Sequence, residues 1–132
     1  MTSSKEHHRT PAGLAPGNGY SHAVAATGRF VAVAGQVAMD EQGDLVGEGD
    51  PRAQAERVFE NLSLALAAAG ATFDDVVKFG VFTTDISILP VVREVRDRFV
   101  DTDNPPASTA VQVGALFRPG YLLEIEAYAV VD

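Results

Sequence analysis

Cysteine is absent from the 132-residue chain. This absence excludes a disulfide framework, a cysteine nucleophile and thiolate metal ligands. It also fits a reducing compartment, and we expect a cytoplasmic protein. The first 14 residues lack the apolar segment of a signal peptide. No apolar run approaches the roughly 20 residues that a membrane helix requires, so we expect no membrane association.

Basic residues are few, with 10 Lys and Arg against 18 Asp and Glu and a net charge of −8. An acidic surface repels phosphate backbones and gains little from counterion release. The one dense basic stretch, Lys5 to Arg9, lies in a polar segment, residues 1–14, that we expect to be a disordered tail. Residues 15–132 have the length of a single domain. These features disfavour a nucleic-acid partner.

The motifs of common catalytic classes are also missing. The chain has no dinucleotide-binding glycine motif, P-loop, H-E-x-x-H zinc motif or G-x-S-x-G nucleophile motif. Of its three histidines, His7 and His8 lie in the expected tail and His22 stands apart from them. We therefore expect no metal site from a single chain.

The most regular predicted element is a helix that follows Asp50. Asp50 suits the N-cap and Pro51 the first helical position. Apolar residues then recur at helical spacing, and Gly70 is placed to end the helix. The members of this apolar stripe are Ala55, Val58, Phe59, Leu62, Leu66 and Ala69.

The remaining pattern predicts strands and one further helix. We expect a hairpin of strands 24–27 and 30–35 turning at Gly28-Arg29, and a short strand at 45–46. The chain then continues with a strand over 76–83, a helix over 86–100 with Pro90 in its first turn, and strands over 109–113 and 122–131. The order β-β-(β)-α-β-α-β-β indicates an α+β fold, a mixed sheet covered on one face by two helices. Because no further helix is predicted, we expect self-association of the chain to cover the other face of the sheet.

Three ordered segments together resemble one known family. The first segment reads GYSHAV at residues 19–24 and is followed by VAGQV at 33–37. The second, residues 54–85, contains Q-x6-N-L-x3-L-x-A-A-G and then VVK-x2-VF-x-TD. The third, residues 105–130, contains PPASTAVQV and later EIEAYAV. This combination is similar to the Rid (reactive intermediate deaminase, YjgF-like, L-PSP endoribonuclease-like) family. The resemblance implies a chorismate-mutase-like fold, a homotrimer, and small-molecule clefts between subunits.

The resemblance also implies a chemistry. Deaminases of the Rid family hydrolyse enamine or imine intermediates such as 2-aminoacrylate, release ammonia and use no cofactor. In these members a glutamate of the E-I-E-A segment positions or activates water, and a tyrosine of the N-terminal motif lines the pocket. The matching residues here are Glu124 and Tyr20.

One position departs from the family pattern. Ser108 stands where the deaminases have an arginine that holds the substrate carboxylate. Arginine offers a planar two-donor fork and serine a single neutral hydroxyl. A charge-assisted hydrogen bond contributes about 1.5–3 kcal/mol against about 1 kcal/mol for a neutral one, so the loss costs roughly one to three decades of affinity. We therefore expect a substrate other than 2-aminoacrylate.

The candidate site comprises Glu124 as the catalytic residue and Tyr20, Gly35, Ser108 and Arg118 as substrate-binding residues. Each has a structural alternative. Glu124 could be a solvated strand carboxylate, Tyr20 a packed aromatic, Ser108 a plain loop residue and Arg118 an exposed loop cation rather than a substitute anchor. Gly35 either lets a substrate approach the backbone or relaxes a strand end.

Three functions remain open from the sequence. The leading one is a cofactor-free hydrolase or deaminase of a reactive small molecule. The second is a non-catalytic trimer that binds a metabolite, which Ser108 favours. The third is an endoribonuclease, which the acidic charge disfavours.

Overall fold

The computed structural model describes residues 5–132. Within these residues, eight strands and helices follow one another. They are β1 Glu6–His8, β2 Ala23–Ala25, β3 Arg29–Val37, α1 Pro51–Ala68, β4 Val76–Thr83, α2 Leu89–Arg96, β5 Ala107–Gln112 and β6 Leu123–Val131. Short 3-10 turns at Phe73–Asp75 and Ile86–Ile88 precede β4 and α2. No helix within this part of the chain is long and apolar enough to cross a membrane.

The main sheet has the strand order β3-β6-β4-β5. Strand β6 is antiparallel to both β3 and β4, whereas β4 and β5 are parallel. Alternate residues of β6 (Leu123, Ile125, Ala127 and Ala129) are completely buried beneath the helices because successive side chains point to opposite faces. The prediction of a mixed sheet with two helices on one face is therefore confirmed.

Helix α1 forms as its sequence predicts. The Asp50 carboxylate accepts a hydrogen bond of 3.1 Å from the backbone N–H of Ala53, which satisfies one of the free donors of the first turn. At the other end, Gly70 has a φ of +76°. The Ala71 N–H donates to the Leu66 carbonyl over 2.9 Å, the closing bond of a Schellman motif.

Three polar residues of the described range are buried: Ser21, Gln54 and Thr83. Gln54 is fully buried in α1. Its amide nitrogen donates to the carbonyls of Gly47 and Gly120 over 3.1 and 2.9 Å, and its oxygen accepts from the Leu122 N–H over 2.9 Å. Gln54 therefore attaches two distant loops to the helix and leaves none of its own polar atoms unpaired.

The N-terminal segment differs from the prediction. Residues 1–4 lie outside the described range, but Glu6–His8 forms a strand antiparallel to β2, with His7 opposite Val24. The expectation of disorder is therefore wrong for this strand, and so is the hairpin of 24–27 with 30–35. Strand β3 pairs along most of its length with β6, a longer partner than β2 that also buries one face against the helices.

Two further boundaries are corrected. The second helix begins at Leu89 with Pro90 in its first turn, as predicted, but ends at Arg96 rather than at residue 100. Beyond it the Phe99 N–H donates to the Arg96 carbonyl over 2.8 Å, and this tighter turn places the Phe99 ring 5.3 Å from that of Phe59. The expected strand at 45–46 is only an isolated bridge between Met39 and Leu45.

Candidate functional site

Glu124 lies on the central strand, on the sheet face that the helices leave uncovered. Its neighbours Leu123 and Ile125 point to the opposite, buried side. The Glu124 carboxylate makes no hydrogen bond or ion pair with any of residues 5–132. It borders an open cavity of about 480 Å³ whose other walls include Phe82 and Phe117. A carboxylate with free oxygen lone pairs and apolar neighbours is available to bind or deprotonate water.

Gly35 lies directly against Glu124. A Cβ atom added to Gly35 would be 2.5 Å from Oε2 and 2.7 Å from Cδ of Glu124. The absence of a side chain at this position therefore makes room for the carboxylate. From the sequence, Gly35 either lets a substrate approach the backbone or relaxes a strand end. Neither alternative describes this contact, in which the missing side chain makes room for Glu124.

A second glycine and glutamate repeat this arrangement on the same face. A Cβ added to Gly80 would be 2.8 Å from Cγ of Glu126. Glu126 differs from Glu124 because the Tyr128 hydroxyl donates to its Oε2 over 2.7 Å. That hydrogen bond and the nearby negative charge raise the pKa of Tyr128. Glu126 is thus already engaged, whereas Glu124 is not.

Ser108 lies on the opposite face of the sheet from Glu124. It stands beside Phe79 in the parallel pairing of β5 with β4. Its side chain borders a small cavity beneath the helices, together with Phe59 and Val92. The Ser108 hydroxyl has no hydrogen-bond partner in the described part of the chain. Because the sheet separates Ser108 from Glu124, one chain cannot bring both to the same small molecule.

Tyr20 is placed near Ser108 rather than near Glu124. Its ring is half-buried and meets the His22 ring edge-on at a centroid distance of 5.2 Å. The next residue, Ser21, is buried, and its hydroxyl donates to the Pro105 carbonyl over 2.6 Å. This bond holds the segment that carries Tyr20 against the start of β5.

Arg118 belongs to the Glu124 side of the molecule. Its guanidinium carbon is 5.2 Å from the centre of the Phe117 ring, within the range of a cation–π contact. Phe117 is 59% exposed and borders the cavity of Glu124. Arg118 is therefore not placed beside Ser108, where the family deaminases have their arginine.

Two arginines that the sequence analysis did not select lie beside Ser108. Arg93 and Arg96 of α2 border the same cavity as Ser108. Gly19 packs against both, since a Cβ added to it would be 3.1 Å from Nη2 of Arg96 and 3.6 Å from Cδ of Arg93. Their spacing of three residues on an amphipathic helix was the available signal, but nothing in the sequence shows which strand that helix face meets.

Residues 5–132 contain no group of three or more His, Asp or Glu side chains arranged to hold a metal ion. His8 lies 3.5 Å from the Glu6 carboxylate. Burial and the charge of Lys5 lower the pKa of His7. Both histidines belong to the small two-stranded sheet, away from Glu124 and Ser108.

Comparison with known protein families shows to which family the chain belongs. The family described as Endoribonuclease L-PSP matches the chain over residues 10–131. The chain is a member of the Rid family. The resemblance in its three sequence segments is thereby confirmed over nearly the whole length of the chain.

Individual Rid family members are similar along most of their length. Protein DfrA of Myxococcus xanthus is 44% identical over 112 residues, 84% of each chain. The human 2-iminobutanoate/2-iminopropanoate deaminase is 34% identical over 122 residues, 92% of this chain and 85% of the relative. The crystal structure of the Rid protein YyfB from Yersinia pestis has a TM-score of 0.83 and 34% identity, and covers 97% of this chain and 99% of its own. The Rid fold is therefore confirmed.

Proposed function

We propose that this Rid family protein is a cofactor-free deaminase that hydrolyses a small imine or enamine in a cleft between two copies of the chain. The observation that carries the proposal is the Glu124 carboxylate, which is unpartnered within residues 5–132 and borders a largely apolar cavity. The deaminase names of several relatives support the same reaction class. A cytoplasmic location is part of the proposal.

The proposed reaction needs one group that exchanges a proton with water. Glu124 takes a proton as water adds its oxygen to the imine carbon, and the C=N double bond becomes a single bond. That proton is then delivered to the nitrogen, which gives the neutral carbinolamine. Glu124 next transfers the proton of the carbinolamine hydroxyl to the nitrogen as the C–N bond breaks, so ammonia leaves, the C=O double bond forms and the net reaction consumes one water molecule. A positioned acid–base group of this kind contributes about 10²–10⁴-fold to a rate.

The proposed cleft joins two groups of residues that a single chain keeps apart. One copy supplies Glu124, Gly35 and Arg118, and its neighbour supplies Ser108 and Tyr20. The uncovered sheet face supports such an assembly because it exposes large apolar side chains. Phe30 is 63% exposed, Phe117 59% and Val111 41%, and apolar patches of this kind favour contact with another protein surface.

The assembly can be tested by light scattering after size exclusion. We expect a particle of about three times the 13.9 kDa chain mass, the homotrimer that the family resemblance implies. A chain that stays monomeric at micromolar concentration would contradict the cleft, because Ser108 and Glu124 would then never share a substrate.

The chemistry can be tested with 2-iminobutanoate generated in situ and ammonia measured above the spontaneous rate. We expect Glu124→Gln to reduce turnover by about 100-fold or more, since the amide cannot accept the proton. Glu126→Gln is the matched control on the same strand face, and we expect it to stay within about twofold of wild type. Equal activity of the two variants would remove Glu124 from the mechanism.

The two other functions are outcomes of the same experiments. A trimer that binds 2-oxobutanoate, the product, but never releases ammonia faster than buffer would be a metabolite-binding protein. Cleavage of a structured RNA that disappears in Glu124→Gln would instead favour an endoribonuclease. We expect no cleavage, because the chain carries a net charge of −8.

A further inference from the structure

We infer that Phe117 is a specificity-determining residue: its ring separates the Glu124 cavity from two neighbouring cavities and so limits how far an apolar substituent on the imine carbon can extend. The inference deepens the proposed function and rests on it for the reaction at Glu124. The separation of the cavities rests only on the geometry of the loop that carries Phe117.

The first support is the position of the Phe117 ring, where three cavities meet. Phe117 borders the Glu124 cavity of about 480 Å³ and a groove of about 580 Å³ between β3 and α1. It also borders a cavity of about 430 Å³ that is lined almost entirely by residues 114–122. No other residue of the described range borders all three. A substituent that extends from Glu124 toward either neighbouring cavity therefore meets this ring.

The second support is that the Phe117 ring is held in place. It stacks on the Tyr121 ring, with the centroids 5.4 Å apart and 14° between the planes, and Tyr121 itself is buried. The Arg118 guanidinium carbon lies 5.2 Å from the centre of the Phe117 ring. Both contacts favour this orientation of the ring.

The loop beneath the ring is also attached to the core. Between Phe117 and Tyr121, Gly120 adopts a φ of +94°, and its carbonyl accepts a hydrogen bond of 2.9 Å from the buried Gln54 amide. This bond ties the turn to α1. The Phe117 ring is therefore a fixed wall of the Glu124 cavity.

The third support is the groove on the other side of the ring, which suits an apolar group. Leu64, which is 66% exposed, and Ala65 present apolar surface there from α1. Gly35 borders the same groove and is also the residue that makes room for the Glu124 carboxylate. The groove therefore begins next to Glu124, and Phe117 stands at the boundary between the groove and the Glu124 cavity.

Replacing Phe117 by alanine removes the ring and joins the groove to the Glu124 cavity. A longer apolar substituent can then pass the former wall and lie along Leu64 and Ala65. Each methylene group buried in this way strengthens binding by about fourfold. A ring that merely provides a contact for the substituent would have the opposite effect, because its removal would weaken long substrates most.

The test uses full-length protein and two imino acids generated in situ, 2-iminobutanoate and 2-iminohexanoate, with ammonia measured above the spontaneous rate. The readout is the ratio of kcat/KM for the longer substrate to kcat/KM for the shorter one. We expect Phe117→Ala to raise this ratio by about tenfold or more. Phe117→Leu should raise it less, because leucine retains part of the wall, and it decides the question if the alanine variant does not fold.

Phe30→Ala is the matched control. Phe30 is 63% exposed and likewise stacks on a tyrosine, Tyr128, at a centroid distance of 5.9 Å, but it borders none of the three cavities. Its replacement should leave the ratio unchanged. Light scattering and thermal denaturation of all variants separate a change in selectivity from a loss of assembly or folding.

An unchanged or lower ratio in a folded Phe117→Ala variant would overturn the inference. If neither wild type nor variant releases ammonia, titrations with the stable products 2-oxobutanoate and 2-oxohexanoate give the corresponding ratio of affinities. A rise in that ratio without ammonia release would refute the proposed deaminase and leave the role of Phe117 standing. No binding of either probe together with no ammonia release would overturn both.

Discussion

The contact between Gly35 and Glu124 allows a direct test of how the acid is positioned. In Gly35→Ala the new Cβ would lie 2.5, 2.7 and 2.9 Å from Oε2, Cδ and Cγ of Glu124. Carbon atoms in favourable contact are about 3.5–4.0 Å apart. The glutamate side chain must therefore move by roughly 1 Å, because the new methyl group is attached directly to the backbone of β3.

Gly35→Ala should lower the free energy of unfolding only modestly, because two effects of opposite sign act on it. Overpacking costs about 1–3 kcal/mol, whereas replacing glycine by alanine inside a strand returns about 0.5–1 kcal/mol. The cost in activity is larger, since a misplacement of about 1 Å can reduce turnover by about 100-fold. We therefore expect a nearly native unfolding temperature together with a loss of activity that approaches that of Glu124→Gln.

Gly80→Ala is the control that makes the result decisive. Its new Cβ would crowd Glu126 to a similar extent, at 2.8 Å from Cγ and 3.0 Å from Cδ. The two alanine variants should therefore have similar unfolding midpoints in urea but differ by about 100-fold in deaminase kcat/KM. Equal activity of the two alanine variants, whether high or low, would refute the reasoning that the glycine positions the acid.

Three further results are expected. Gln54→Leu should lower the free energy of unfolding by about 3 kcal/mol or more, measured in urea, because it leaves two carbonyls and one N–H without their partner. The pKa of His7 is lowered from 6.5 by burial and by the charge of Lys5. As the pH falls, the His7 imidazole is therefore protonated in the unfolded chain before it is protonated in the folded chain. The contribution of His7 to the stability of β1 and β2 should therefore be complete above about pH 6.5 and fall on acidification. This loss should appear as smaller protection factors for amide exchange, corrected for the intrinsic rate at each pH, and should be absent in His7→Gln. Ser108→Arg should raise turnover of 2-aminoacrylate by about tenfold or more, measured as ammonia release, because arginine supplies the two-donor fork for the substrate carboxylate; no gain would show that the pocket differs from that of the family deaminases at more than this position.

Local patterns predicted the elements of the main sheet and its helices. The cap at Asp50, the apolar stripe of α1 and the glycine at its end each act within a few residues, so the sequence alone reveals them. The alternation in β6 likewise placed Glu124 and Glu126 on one face. The N-terminal strand could not be predicted in this way. Residues 6–8 are polar and are ordered by pairing with a strand 15 or more residues away.

The candidate site was only partly predictable for the same reason. Motif matching selected Glu124, Tyr20 and Ser108 as candidates, but it could not show that the sheet separates the first from the third. It also selected Arg118, ten positions away in the sequence, as a candidate substitute for the missing arginine. The cations that share a cavity with Ser108 are on α2, and their placement depends on how that helix packs against β5, a contact that no local pattern encodes.

The position of β6 in the sheet affects how the protein is made. In the four-stranded sheet, β3 pairs with β6 alone and β4 pairs with β6 and β5. During synthesis, the 122 residues that precede β6 emerge before the strand that joins them exists. The hydrophobic face of α1 and the edges of two strands then remain exposed to chaperones, proteases and other nascent chains until β6 has been made. A nonsense mutation at position 123, which removes β6, would therefore produce an aggregation-prone chain.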